Sequence, residues 1–192
     1  IYKGKYSLPS MPATYSENEG NAETLEIVTE DVHTGAVVTL LYGAFEKYDA
    51  ITRAVKIENK GDKPFDIERV YSTCVQFNRM DLDMINLWGS WARERSVARR
   101  PLEHGIREIR SKRGSSSHYH NPFVALCDHD AGEEHGDAYG FGFVYSGNFS
   151  CEVEVDAYST TRLIMGLEST DFNWKLDAGE TFYAPEVVMV YS

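Results

Sequence analysis

Apolar and polar residues alternate with a period of two along most of the chain, the pattern of strands that bury one face. Leu25, Ile27 and Thr29 alternate with Glu26, Val28 and Glu30, which predicts a strand over residues 24–30. His33-Thr34-Gly35 turns the chain into a second strand, 36–45. A third, 51–58, sets Ile51, Arg53, Val55 and Ile57 against Thr52, Ala54, Lys56 and Glu58. The run Asn59-Lys60-Gly61-Asp62-Lys63-Pro64 is dense in turn formers, and one continuous partner strand is expected after it, 65–77. Further strands are expected at 82–88, 90–98, 105–112, 123–127, 138–145, 150–158, 161–167 and 181–191. No segment carries a helical stripe of helix length, and twelve Tyr, nine Phe and three Trp suit pleated surfaces. Many short strands joined by Gly/Asn/Asp turns predict an all-β fold, an antiparallel two-sheet sandwich. At 192 residues the expected organisation is a single domain, 1–192.

Charge narrows the partners. The formal net charge of −11 disfavours nucleic acid, because phosphate contacts need clustered cations. One band departs from this balance: Arg93, Arg95, Arg99, Arg100, Arg107, Arg110, Lys112 and Arg113 are opposed only by Glu94, Glu103 and Glu108. Such a band on an acidic protein most often meets acidic surface of its own or of a partner subunit. No stretch approaches about 20 apolar residues, so no membrane-spanning helix is expected. Cys74, Cys127 and Cys151 are odd in number and far apart, which argues against a disulfide framework and fits a reducing, cytoplasmic compartment. Cys74 and Cys151 sit in apolar alternation and are expected to be buried.

Candidate chemistry is sparse. In SSSHYHNPF (residues 115–123) His118 and His120 lie two apart, so in extended backbone both face one ligand. A zinc site needs three or four ligands, and no close spacing recruits Asp128, His129, Asp130 or His135 to complete one, so no metal and no cofactor is expected. Trp88 and Trp91 stand beside Arg93 and Arg95. If 90–98 is extended, Trp91, Arg93, Arg95 and Val97 share a face, a platform of indole and guanidinium suited to sugar or protein recognition. No nucleophile elbow, phosphate loop or dinucleotide fingerprint occurs, and thirty acidic residues single out no catalytic pair.

Five stretches carry a family resemblance: LPSMPATYSENEGNAETLEI (8–27), GSWARERSVARRPL (89–102), SKRGSSSHYHNPF (111–123), YGFGFVYSGNFSCEVEVD (139–156) and FYAPEVVMVYS (182–192). In that order they resemble the N-terminal β-supersandwich domain of bacterial α-galactosidases of glycoside hydrolase family 36. The resemblance implies a longer enzyme with a (β/α)₈ barrel beyond residue 192, whose two aspartates cleave terminal α-galactosyl residues of melibiose- and raffinose-type sugars with retention. It also implies that the chain begins some way into the family's N-terminal domain. No catalytic residue is then expected here, and the chain alone is expected to be inactive. Its work would be to support its own barrel and a homo-oligomer, a tetramer in the family. Trp88, Trp91, Arg93, Arg95, His118, His120 and Asn121 would be the contacts to barrel, protomer or sugar. The alternative is a freestanding carbohydrate-binding module with Trp88 and Trp91 as its platform.

Overall fold

In a computed structural model that describes residues 1–15 and 21–192, the period-two pattern is realised among the described residues as sixteen strands, with a 3-10 turn at Glu46–Tyr48. Residues 16–20 of the 8–27 stretch lie outside the described residues. In chain order the strands are β1 (Tyr2–Lys3), β2 (Glu23–Asp31), β3 (Ala36–Phe45), β4 (Ala50–Asn59), β5 (Phe65–Ile67) and β6 (Tyr71–Phe77). There follow β7 (Leu82–Ser90), β8 (Arg93–Pro101), β9 (Gly105–Ser111), β10 (His120–Asp128) and β11 (Ala138–Phe143). The last five are β12 (Phe149–Val155), β13 (Thr161–Leu167), β14 (Trp174–Leu176), β15 (Thr181–Tyr183) and β16 (Val187–Tyr191).

A ten-stranded sheet runs β1-β2-β3-β4-β16-β11-β10-β7-β8, with β15 also paired to β4. A four-stranded sheet, β6-β13-β12-β9, packs on it, and β14 and β5 form a separate ribbon. The pairings are antiparallel. Between the sheets, Phe149, Cys151, Val153 and Val155 of β12 and Leu163, Met165 and Leu167 of β13 form one wall of the core. Leu82 and Met84 of β7, Val124 and Leu126 of β10, and Phe141 and Phe143 of β11 form the other. These are every second residue of their strands, and burying each large side chain contributes about 1.5–3 kcal/mol.

The opposite face of the large sheet carries a second apolar cluster, where Tyr6 and Leu8 of the N-terminal segment lie on Leu41 and Ala54. That segment is tied down by Glu186, which is wholly buried. Its carboxylate accepts hydrogen bonds from Tyr6 Oη (2.6 Å), Thr14 N (2.9 Å) and Thr14 Oγ1 (2.6 Å), and pairs with the Lys5 ammonium. Burial pulls the Lys5 ammonium below its ordinary value even against the pull of Glu186. It pushes the Tyr6 phenol up, with the carboxylate adding to the effect.

Outside the candidate site, the structure departs from the alternation pattern most clearly in three places. The single strand expected at 65–77 is two: β5 joins the ribbon and β6 the small sheet, with Val70 turning into the core between them. The strand expected at 181–191 breaks at Ala184-Pro185-Glu186, because Pro185 has no N–H to give a ladder and Glu186 serves the N-terminal segment. Cys74 is exposed, not buried: β6 turns Val75 and Phe77 to the core and pairs Cys74 with Ile164 on the outer face.

Candidate functional site

The strand that carries the tryptophans is one half of a hairpin. β7 enters from the core through Leu82 and Met84, and β8 returns as the edge strand of the large sheet. The predicted start of the return strand, residue 90, is shifted to Arg93, because the chain reverses at Trp91-Ala92 and Ala92 takes a left-handed backbone with φ 61°. Trp91 therefore sits in the turn and is 84% exposed, while Trp88, within β7, is half exposed. Arg95 is also left-handed, φ 61°, which interrupts the alternation expected to line up Trp91, Arg93, Arg95 and Val97 on one face. Arg93 and Arg95 are exposed and make no ion pair among the described residues. Gly89 is required where the hairpin tightens: a Cβ there would stand 2.2 Å from the carbonyl oxygen of Arg93.

The histidine segment joins this hairpin. His120 and Asn121 are the first two residues of β10, which begins three residues earlier than its apolar pattern suggests, and His120 pairs with Trp88 across the ladder. His118 is half-buried in the turn before β10, with its ring 4.7 Å from that of Tyr119. Hydrogen bonds fix the turn from three sides. Ser111 Oγ donates to Ser115 O (2.7 Å), Ser116 N to Ser146 O (2.7 Å), and Gly89 N to Tyr119 O (3.3 Å). Arg113 lies 3.9 Å over the Tyr119 ring, a cation–π contact that holds the basic end of β9 against the turn.

Between β9 and the turn lies a cleft of 380 Å³ walled by Arg110, Lys112, Arg113, Ser117, Tyr119 and His120. Two atoms beside it, His120 Nδ1 and Asn121 Oδ1, are sequestered without a hydrogen-bond partner among the described residues. Burial holds the His120 imidazole below its ordinary value, favouring the neutral ring. The arrangement is cationic and aromatic, rich in donors, and presents no paired carboxylates. It can grip acidic or polar surface. No group of three or more potential metal-ligating side chains occurs among the described residues.

Sequence reasoning missed the fastening beside this site. Arg99 Nε donates to Asp83 Oδ2 (2.6 Å), and its two terminal nitrogens donate to the carbonyls of Ala131, Asp128 and His129. His129 Nδ1 meets the other Asp83 oxygen at 2.6 Å, which gives that histidine a structural partner in place of the metal weighed from the sequence. The signal was an acidic residue at position 83 of an otherwise apolar stretch, Leu82-Asp83-Met84.

Comparison with known proteins gives this surface its setting. Residues 1–177 match the family described as the glycosyl hydrolase family 36 N-terminal domain. The whole chain is 52% identical to alpha-galactosidase AgaA of Geobacillus stearothermophilus, covering 26% of that protein. It is 44% identical to the bifunctional alpha-galactosidase/sucrose kinase AgaSK of Mediterraneibacter gnavus, covering 20% of it. The crystal structure of AgaA superposes on all of the chain with a TM-score of 0.97, as does that of an AgaA variant in complex with raffinose, and the chain covers 27% of each. The chain thus spans about a quarter of the length of such relatives. With a family match over residues 1–177 and 52% identity to AgaA along its whole length, the chain belongs to the N-terminal domain family of glycosyl hydrolase family 36.

Proposed function

We propose that the chain is the non-catalytic N-terminal domain, a single unit over 1–192, of a retaining α-galactosidase acting on raffinose-type sugars. The β7–β8 hairpin and the SSSHYHNPF turn are its contact surface toward the catalytic barrel or a neighbouring protomer of a homo-oligomer, a tetramer by family resemblance. The observation that carries this reading is Trp91, an 84% exposed indole on a turn whose base is locked by backbone hydrogen bonds and a tight glycine. A rigid, exposed aromatic flanked by unpaired arginines is the composition of an interface anchor. Retaining chemistry needs two carboxyl groups about 5–5.5 Å apart on a fixed frame, and the hairpin and the histidine turn offer arginine, aromatic and histidine side chains in their place. Three free cysteines fit a reducing, cytoplasmic setting.

Incubating the purified chain with a nitrophenyl α-galactoside tests the non-catalytic assignment. The expected result is release no faster than blank, and turnover that follows the protein through purification overturns it. Tryptophan fluorescence in a galactose or raffinose titration separates the reading from the sugar-platform alternative. Saturable quenching that is lost in Trp91→Ala would assign the hairpin to sugar instead of to protein.

A further inference from the structure

The outer face of the small sheet, away from the core, carries another cleft, which shares only Arg110 with the cleft beside the histidine turn. Register places Arg110, Ser150, Gly166 and Tyr71 in one row across β9, β12, β13 and β6, with Glu108 directly opposite Glu152 in the adjoining row. The turn after β13 walls one side through Glu168, which is 7% exposed and held by the backbone N–H (2.9 Å) and hydroxyl of Thr170. The cleft is open to solvent and its volume is about 310 Å³, at the lower end of the roughly 300–1,000 Å³ found for small-molecule sites.

Its polar groups have unmet capacity. Ser150 lines the floor, is 2% exposed, and its Oγ makes no hydrogen bond among the described residues. Sequestered hydroxyls are almost always paired, so an unpaired one facing a cleft points to a missing partner. Glu108 and Glu152 face each other across the ladder, a like-charge pairing that sheets disfavour. Burial, then the nearby carboxylates of Glu152 and Glu168 against Arg110, pushes the Glu108 carboxyl up. Tyr71 Oη donates to Glu152 Oε1 at 3.1 Å, so that carboxylate is oriented while its second oxygen stays available.

The donor and acceptor set identifies the ligand class. Glu108 and Glu152 accept, Arg69 and Arg110 donate, and Ser150 does both. With Glu168, three carboxylates stand against two guanidiniums, a near balance that selects against a strongly charged ligand. Acceptors and donors interleaved on one surface of small net charge suit the hydroxyls of a sugar ring, each of which both donates and accepts. We propose that this cleft binds a neutral pyranose, with Glu108 and Glu152 accepting from neighbouring hydroxyls, Arg110 donating, and Ser150 closing the floor. The inference does not rest on the role assigned to the hairpin.

The test is amide NMR of the isotope-labelled chain titrated with galactose and, separately, with raffinose. Saturable shifts centred on Ser150, Glu152 and Arg110, with Kd in the range of about 1–10 mM, are expected. Glu152→Gln should weaken binding about three- to tenfold while the melting temperature holds or rises, because the like-charge pairing with Glu108 is relieved. If that variant loses its native spectrum, Arg110→Gln, whose side chain is 48% exposed, carries the same comparison. The proposal is overturned by unsaturated shifts at about 100 mM sugar, by shifts confined to Trp88 and Trp91, or by equal affinity of variant and parent. Any of these would leave ordinary water as the partner of Ser150.

Discussion

His120 of β10 stands directly opposite Trp88 of β7 in the antiparallel ladder. Two stretches more than thirty positions apart in the chain, one aromatic and basic, the other rich in histidine and serine, thus share a single backbone pair. The register slips just beyond it, between His120 and Val124 on one side and between Trp88 and Ser90 on the other. Bulges of this kind re-aim side chains and increase the local twist, so the hairpin tip projects from an irregular but hydrogen-bonded base.

That geometry separates stability from assembly at Trp91. The indole is 84% exposed, so Trp91→Ala should change the folding free energy of the chain by no more than about 0.5 kcal/mol. If the hairpin is an interface anchor, the same substitution in the full-length enzyme should cost about 2 kcal/mol or more of association, roughly thirtyfold. Thermal melts of the chain and sedimentation of the enzyme read the two effects. An unaltered oligomer with an unaltered melt would remove Trp91 from the interface.

Glu186 behaves in the opposite way. It is wholly buried and is the shared acceptor for Lys5, Tyr6 and Thr14. Glu186→Ala leaves a buried ammonium, a phenol and a threonine pair without their acceptor. Removing one partner of a buried ion pair costs about 3–5 kcal/mol, and a loss of that order in urea unfolding is expected. Amide exchange should accelerate first in residues 5–14, because the segment is held mainly by this carboxylate and the Leu41 cluster.

Much of the sandwich was legible from alternation alone, since the strands over 36–45 and 161–167 begin and end where the pattern places them. Period-two counting failed where a residue serves a distant segment instead of its own face. Pro185 and Glu186 split one expected strand because the carboxylate is needed by a segment about 180 positions earlier. Cys74 failed for a different reason: β6 alternates, but the set it turns inward is Val75 and Phe77, which leaves the thiol outside. At the candidate site the composition was readable while the geometry was not. Nothing in the sequence shows that Ala92 and Arg95 take left-handed backbones or that Tyr119, lying between the two histidines, is the residue Arg113 covers.

Acid sensitivity should be traceable to Asp83. Burial raises its carboxyl, but hydrogen bonds from Arg99 and His129 outweigh this and hold it below its ordinary 3.8. Between the folded and unfolded values the unfolded chain binds more protons, so stability rises with pH there. The contribution is complete above about pH 4 and is lost as pH falls through the depressed folded value. Urea midpoints measured down to about pH 3 should decline in the parent and decline less steeply in Asp83→Asn. Identical slopes would place the acid sensitivity elsewhere.

The cysteines offer a direct reading of strand facing. Cys74 is exposed, whereas Cys127 and Cys151 are 2% and 0% exposed, and burial pushes both of their thiols up. The thiolate is the reactive form, so one thiol of the three should react promptly with a disulfide reagent in the folded chain, and the other two only after denaturation. Cys74→Ser should abolish the prompt phase and leave the total after unfolding reduced by one. Because a one-residue slip in β6 would exchange Cys74 with Val75 between solvent and core, the prompt phase also reports the Leu163–Val75 register on which this edge of the small sheet depends. A folded chain with no prompt thiol would mean that β6 is turned over, and with it the Tyr71–Glu152 hydrogen bond that orients the outer cleft.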